Sequence, residues 1–291
     1  MNLAIIANPD KYAVKKPFKE ILKWADSKDD VIILFNHSLK FLVNNGNYSH
    51  YKICESEEEA VENSDFVISL GGDGTMLWTA RLVKKSGKPI LGVNSGRMGF
   101  MANTQLKDLI PALNHLRAGN YKEDPRFLLK GKDSYGNVYH ALNEFLFTKK
   151  GSASMITVDA LYDDMFINKY WADGLIVATP TGSTAYNLSS NGPIVMPQTS
   201  VMLLTPVNPH TLTTRPLVLP VDKTLKIRVE QQDHEVLFSY DGEICEITQY
   251  PFEIEIKRSD FTINILELPG HSYFETLRTK LMWGLDFRDQ I

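Results

Sequence analysis

The sequence predicts an α/β N-terminal domain, Rossmann-like with a parallel sheet, then a β-rich, sandwich-like C-terminal domain, and a last helix that returns to the first domain. Three observations carry this. Short apolar runs alternate with helical patterns through the first 120 residues. The runs that follow are short and strand-like. After Pro269-Gly270 a single helical pattern closes the chain. The division is 1–120 plus 270–291 for the α/β domain and 121–269 for the β-rich one.

In the first domain, residues 3–7 read as a buried strand. Residues 17–25 place Phe18, Ile21, Leu22 and Ala25 at helical spacing. Residues 31–35, 66–70 and 90–93 read as further strands, and 57–63, 76–85 and 106–116 as helices. Alternation of this kind implies a mostly parallel sheet flanked by helices. In the second domain, strand-like runs occupy 140–148, 155–162, 175–178, 225–230, 236–240, 252–257 and 261–266. The last two alternate apolar with polar residues, the period of half-buried antiparallel strands. Residues 134–137, Asp163-Asp164 and Ser259-Asp260 read as turns. The closing helix, 271–283, sets Phe274, Leu277, Leu281 and Trp283 on one face, which is expected to pack on the first domain.

The 291 residues are 43% hydrophobic and 23% charged, with a formal net charge of -4. That is ordinary globular composition, without the basic footprint or lysine/arginine run of a nucleic-acid or anionic-lipid binder. The two cysteines, Cys54 and Cys245, lie far apart with no zinc-type spacing, and read as reduced packing residues. No apolar run approaches the length of a membrane span, and the start lacks the basic region of a signal peptide. A cytoplasmic protein without nucleic-acid or membrane partners is the expectation.

The strand at 66–70 runs straight into Gly71-Gly72-Asp73-Gly74-Thr75 and then into a helix. Glycines that can adopt positive φ and leave the backbone bare, at a helix N-terminus and the carboxyl end of a parallel strand, make a phosphate site. A carboxylate there is repulsive to phosphate. It makes sense if Asp73 faces a hydroxyl that must lose a proton, or binds a cation, as in phosphoryl transfer. The bland alternative is an aspartate that caps the next helix. Neither GxxxxGK[ST] nor GxGxxG occurs in the chain.

A second strand enters a glycine-rich loop at Asn94-Ser95-Gly96-Arg97-Met98-Gly99-Phe100. Phe100 has two readings there, a base-stacking ring or a core residue. The stretch from Asp173-Gly174 through Thr179-Pro180-Thr181-Gly182-Ser183-Thr184-Ala185-Tyr186-Asn187-Leu188-Ser189 gathers many short donors and acceptors, suited to riboses and amides. Its bland alternative is a turn that satisfies its own backbone. Asn143-Glu144 sets an amide beside an acid, which alone reads as a surface pair.

Taken together, in order and spacing across about 170 residues, these segments resemble the NAD kinase family. The resemblance implies ATP-dependent phosphorylation of the adenosine 2′-hydroxyl of NAD to give NADP. It also implies a divalent cation, usually magnesium, and a homo-oligomer, a dimer or tetramer. Carried over by position, Asp73 is the expected catalytic residue. Gly71, Gly72, Gly74 and Thr75 are the phosphate-binding residues. The expected NAD contacts are Asp73, Gly74, Asn143, Glu144, Asp173, Thr184, Ala185, Tyr186, Asn187, Leu188 and Ser189, with Phe100 and Thr181 lining the pocket. No side chain is assigned as a metal ligand. Three positions depart from the family pattern. Trp171 stands where many bacterial members carry a basic residue, Glu243 where many carry glutamine, and Met98 where leucine is common. Two other functions compete with this one. A lipid or small-alcohol kinase shares the glycine-rich turn, and a nucleotide sensor would bind without turnover.

Overall fold

A computed structural model describes residues 1–43, 46–96, 99–151, 154–233, 235–247 and 249–284. The chain forms two compact units, one of Met1–Pro125 with Ile263–Ile291, the other of Arg126–Thr262.

The first unit begins with strand β1 (Asn2–Ala7), helix α1 (Lys15–Asp26), strands β2 (Ile32–Asn36) and β3 (Tyr51–Cys54), and helix α2 (Glu57–Glu62). Strand β4 (Phe66–Gly71), helix α3 (Asp73–Val83), strands β5 (Ile90–Asn94) and β6 (Thr104–Gln105), and helix α4 (Leu109–Arg117) follow. The sheet order is β3-β2-β1-β4-β5, every pair parallel. The strands are apolar throughout because helices cover both faces of such a sheet. Leu3, Ile5, Ile33, Phe35, Ile68, Leu70, Leu91 and Val93 form its core with Phe18, Ile21 and Leu22 of α1. The strand order reverses between β1 and β4, the switch point at which open α/β sheets bind ligands.

The second unit takes in most of β7 (Lys122–Asp133), then β8 (Val138–Ala141), β9 (Glu144–Lys149), β10 (Ile156–Tyr162), β11 (Met165–Ala172) and β12 (Gly174–Ala178). Helix α5 (Tyr186–Ser189) and strands β13 (Val201–Val207), β14 (Leu217–Pro220), β15 (Leu225–Val229), β16 (Val236–Tyr240) and β17 (Glu243–Glu246) come next. Strand β18 (Phe252–Glu267) leads out of the unit. One antiparallel sheet has the order β14-β13-β12-β9-β16-β17, and β11-β10-β15-β18 form a second. Phe145, Phe147, Leu175, Val177 and Phe238 of the first sheet pack with Val158, Ile227, Ile254 and Ile256 of the second, which makes the sandwich. The Asp163-Asp164 turn is confirmed, with both residues at positive φ (54 and 61°), as a two-residue hairpin requires.

Three expectations are corrected. Residues 252–257 and 261–266 are one strand, β18, and not two strands around a Ser259-Asp260 turn. The pair lacks glycine and proline, Ser259 is buried, and the strand passes from the β15 ladder to the Ile265–Ile90 pairing. The run 140–148 breaks at Leu142-Asn143, because the Asp241 carboxylate draws the N–H groups of Leu142 and Asn143 to itself, both at 2.7 Å. The closing helix α6 is Tyr273–Leu281, and of its expected apolar face only Leu277 is buried. Phe274 is 48% exposed and Trp283 lies past the helix at 54%, because the helix turns Thr276 inward beside Leu277. The helix does return to the first unit, where Lys280 Nζ stands 5.3 Å from the Phe100 ring centroid.

Gly92 in β5 meets the loop after that strand. A Cβ there would lie 2.8 Å from Ala102 Cα and 2.9 Å from the Met101 carbonyl oxygen, both backbone atoms. Gly92→Ala is therefore expected to destabilise the protein by about 1–3 kcal/mol, the cost of overpacking, as measured by urea denaturation.

Candidate active site

The turn after β4 has the expected form with a different use of its glycines. Gly72 caps α3 with extended backbone, φ -118°, and none of Gly71, Gly72 and Gly74 has positive φ. Gly71 is there for close approach, since a Cβ would lie 2.1 Å from Thr75 Oγ1. At Gly72 and Gly74 a Cβ would meet nothing within 4 Å, so the missing side chains leave bare backbone facing open space. The N–H groups of Asp73 and Gly74, in the first turn of α3, have no intrahelical acceptor.

Asp73 does not cap its own helix. Its Oδ2 accepts from Phe100 N at 2.9 Å, and its Oδ1 from Met101 N and Ala102 N, both at 3.1 Å. The carboxylate reaches this loop because position 99 is glycine; a Cβ there would lie 2.0 Å from Asp73 Oδ1. Asn94 steadies the loop from the end of β5, accepting from Gly96 N at 2.7 Å and donating to Ala102 O at 3.3 Å. Phe100 thus serves through its backbone, with its ring half-buried beneath Lys280. A carboxylate offers about four lone-pair sites. Three are occupied, which fixes the rotamer and leaves one on Oδ2.

In the second unit, Asp241 does for residues 142–144 what Asp73 does for residues 100–102. It accepts from Leu142 N and Asn143 N at 2.7 Å and from Glu144 N at 3.2 Å. Thr179 closes the same knot, its hydroxyl donating to Leu142 O at 2.5 Å and its N–H to Asn143 O at 2.8 Å. Thr181, next to it, is buried, with Arg126 Nη1 donating to its hydroxyl at 3.4 Å. Glu144 is half-buried with Oε2 buried and unpaired. Burial first, and the Asp241 charge second, push its pKa from 4.5 up to about 8. The group is a neutral acid at neutral pH, able to donate a hydrogen bond.

Thr184, Ala185 and Leu188 are half-buried, and Tyr186 and Ser189 exposed, so this segment offers accessible groups. Asn187 differs. It is fully buried, donating to the carbonyls of Ser183 and Pro193, each at 3.2 Å, and accepting from Thr205 Oγ1 at 2.6 Å. Its amide braces the loop and is turned away from solvent. Asp173 stands at the opposite end of β12 from the Glu144–Ala178 pairing, about 17 Å of strand away. It is held by Lys149 Nζ at 2.6 Å and by Asn208 Nδ2 at 3.2 Å, and the bond from Lys149 lowers its pKa most.

Asp241, Lys149, Asn208 and Arg126 escape the sequence reading. Asp241-Gly242 is visible as a hairpin turn, but its partners lie 97–99 residues away. Of the departing positions, Trp171 is half exposed and packs in a tilted arrangement against His210, ring centroids 4.1 Å apart. Glu243 is exposed directly after the Asp241-Gly242 turn. Met98 lies outside the described residues. Among the described residues no helix is long and apolar enough to cross a membrane.

Two family models match the chain, that of the ATP-NAD kinase N-terminal domain over residues 3–121 and that of the C-terminal domain over residues 142–268. An NAD kinase of Cytophaga hutchinsonii is 41% identical over 77% of this chain and 78% of its own. One from Flavobacterium johnsoniae is 35% identical over 99% of this chain and 100% of its own. Among solved structures, yeast NADH kinase complexed with NADH superposes with a TM-score of 0.90 at 25% identity, covering 99% of this chain and 89% of that one. An Archaeoglobus fulgidus NAD kinase in complex with ATP gives 0.73 at 25% identity, over 97% and 99%.

The raised pKa of Glu144 has a stability consequence with a definite sign. Between pH 4.5 and about 8 the folded chain holds a proton that the unfolded chain has released, so stability falls as pH rises through this window. Glu144→Gln, which keeps the shape of the neutral acid, is expected to remove that decline and to be the more stable protein at pH 8. Urea midpoints measured across the range check this, and parallel profiles for the two proteins would refute it.

Proposed function

The chain belongs to the ATP-NAD kinase family and is a phosphotransferase that uses ATP to phosphorylate NAD, and on that premise we propose how its residues divide the work. The γ-phosphoryl group moves to the 2′-hydroxyl of the adenosine ribose. The 2′-oxygen bonds to the γ-phosphorus, the bond to the ADP oxygen breaks, and the hydroxyl proton leaves through Asp73 to solvent. The observation that carries the reading is the geometry of Asp73. Its carboxylate is fixed by three N–H bonds, and the lone pair left on Oδ2 is free to accept the hydroxyl. Phosphoryl transfer has a loose transition state, so positioning matters more than proton removal. A carboxylate locked in one rotamer suits orientation.

Of the turn at Gly71, Gly72, Gly74 and Thr75, the bare backbone at Gly72 and Gly74 holds phosphate, helped by the α3 dipole, while Gly71 and Thr75 pack against each other to shape it. By the family resemblance, the NAD-contacting groups of the first unit are Asp73, Gly74 and Phe100, and those of the second are Asn143, Glu144, Asp173, Thr181 and the accessible groups among Thr184, Ala185, Tyr186, Leu188 and Ser189. Asn187 contributes by bracing its loop. Glu144 binds as a hydrogen-bond donor. Asp173, at the far end of β12, meets a different part of the dinucleotide.

The donor is taken to be magnesium-ATP. Among the described residues no group of three or more His, Cys, Asp or Glu side chains could hold a metal, and the Asp73 carboxylate is mostly committed to N–H groups. The cation therefore fits as part of the substrate, bound through its phosphates and water, which is magnesium's usual mode. When bound it neutralises charge on the triphosphate. Cytoplasmic location and a homo-oligomer, dimer or tetramer, complete the proposal on the strength of the family resemblance.

Asp73→Asn is expected to keep NAD affinity and to lose turnover by about a hundredfold or more. NADP formation from NAD, ATP and magnesium, with NAD binding measured by calorimetry, tests this. Turnover within a few-fold of wild type would remove Asp73 from the reaction.

A further inference from the structure

The backbone of residues 142–144 is bonded at every polar group. The N–H groups of Leu142, Asn143 and Glu144 donate to the Asp241 carboxylate, at 2.7, 2.7 and 3.2 Å. The carbonyls of Leu142 and Asn143 accept from the Thr179 hydroxyl and N–H, at 2.5 and 2.8 Å, and that of Glu144 from Asp241 N at 3.1 Å. Gly182 closes on the same corner. Its N–H donates to Thr179 Oγ1 at 3.0 Å, and a Cβ there would lie 2.2 Å from Asn143 O. Asp241 thus takes three bonds from this corner and gives one back.

The side chains of the corner are the opposite case. Asn143 is only 8% exposed, yet its amide makes no hydrogen bond among the described residues. Glu144 Oε2 is buried and also unpaired. Buried polar groups are costly without partners. A saturated backbone beside two unspent side chains is a corner shaped to meet something from outside the chain. The neighbours of Glu144 along β9 and across its ladders are Asn143, Phe145, Ala178, Thr179 and Tyr240, none of which carries a charge. Asp241 is the one charge that acts on the glutamate among the described residues.

We propose that Asp241 is a positioning residue for NAD, which builds the Asn143-Glu144 corner from the backbone side and keeps Glu144 a hydrogen-bond donor to the dinucleotide. The proposal rests on the family reading that Asn143 and Glu144 contact NAD, and adds the residue that sets them. Asp241 acts in two ways. Its three N–H bonds fix where the two side chains begin, and its charge helps to hold the proton on Glu144. NAD binding then carries a proton requirement. A neutral carboxyl donates to an oxygen of the dinucleotide, such as a ribose hydroxyl, and an ionised one cannot. The proton is lost as pH rises past about 8, so affinity for NAD falls above that pH.

The test is NAD affinity by calorimetry across pH, beside steady-state kinetics of NADP formation, for wild type, Asp241→Asn, Asp241→Glu and Glu144→Gln. Wild-type affinity is expected to hold below about pH 8 and then to fall by up to about tenfold per pH unit, the slope of one proton. Asp241→Asn loses the charge and at least one N–H bond. It is expected to raise KM for NAD about tenfold at neutral pH, with KM for ATP within about twofold of wild type. Its fall in affinity moves to lower pH, because one of the two causes that hold the proton is gone. Asp241→Glu keeps the charge and displaces the oxygens, so KM for NAD rises while the pH of the fall stays near that of wild type. Glu144→Gln, whose amide donates at every pH, flattens the profile. An aspartate that served stability alone would weaken NAD binding equally at all pH. An Asp241→Asn profile parallel to that of wild type therefore overturns the proposal, as does an unchanged KM for NAD in an active variant. The wild-type profile needs no variant to fold, and a flat one overturns the proposal by itself. A wild-type protein that neither binds NAD nor makes NADP would overturn the kinase reading, and this role with it.

Discussion

The carboxylate of Asp73 binds the loop at residues 100–102 through three N–H groups, and the geometry of the first unit's site follows from that bond set. β4 and β5 are parallel neighbours, Gly71 beside Asn94 in register, so the turns that follow them emerge side by side. Asn94 ties the second turn to itself and to Ala102. Gly99 and Gly92 leave the space that the approach needs, the first against the carboxylate and the second against the loop backbone. An acid inside the proposed phosphate-binding turn would be a conflict of charge. The structure turns the acid toward donors on a neighbouring loop and leaves the backbone at Gly72 and Gly74 bare.

The second unit repeats the device with different parts. Asp241, from an Asp-Gly hairpin turn with both residues at positive φ (46 and 83°), accepts three consecutive N–H groups at 142–144. Its bonded charge then acts on the next acid. Burial first, and the nearby Asp241 charge second, disfavour the ionised form of Glu144, which stays protonated near neutral pH. One aspartate serves as an anchor because it is surrounded by donors. The glutamate becomes a hydrogen-bond donor because it is not. Asp173 is a third variation, held by an ammonium and an amide, at the other end of the β9–β12 ladder from Glu144.

Most of the architecture was legible because each element carries its own period. The apolar strands, the α1 stripe and the alternation at 225–230 and 252–257 need no distant information. What failed depends on partners. Ser259-Asp260 has the composition of a turn, and only the ladders on either side of it keep it extended. Strand β9 starts at Glu144 because of an aspartate 97 residues away. In the site, the glycine-rich turn and the Thr181–Ser189 segment stand out by composition. Within that segment the sequence does not reveal that the Asn187 amide is spent on Ser183, Pro193 and Thr205. The direction in which Asp73 points, and the need for glycine at position 99, exist only once two loops have met.

In the proposed reaction Asp73 depends on the 100–102 loop to hold its carboxylate in place. Gly99→Ala tests this with residue 73 itself unchanged, since the added methyl would take the space of Asp73 Oδ1 and push the carboxylate from its place. The measurement is the turnover number for NADP formation beside NAD affinity and the denaturation midpoint. A folded protein that binds NAD and has lost turnover to about the extent that Asp73→Asn loses it is expected. Turnover at the wild-type level in a folded Gly99→Ala protein would contradict it.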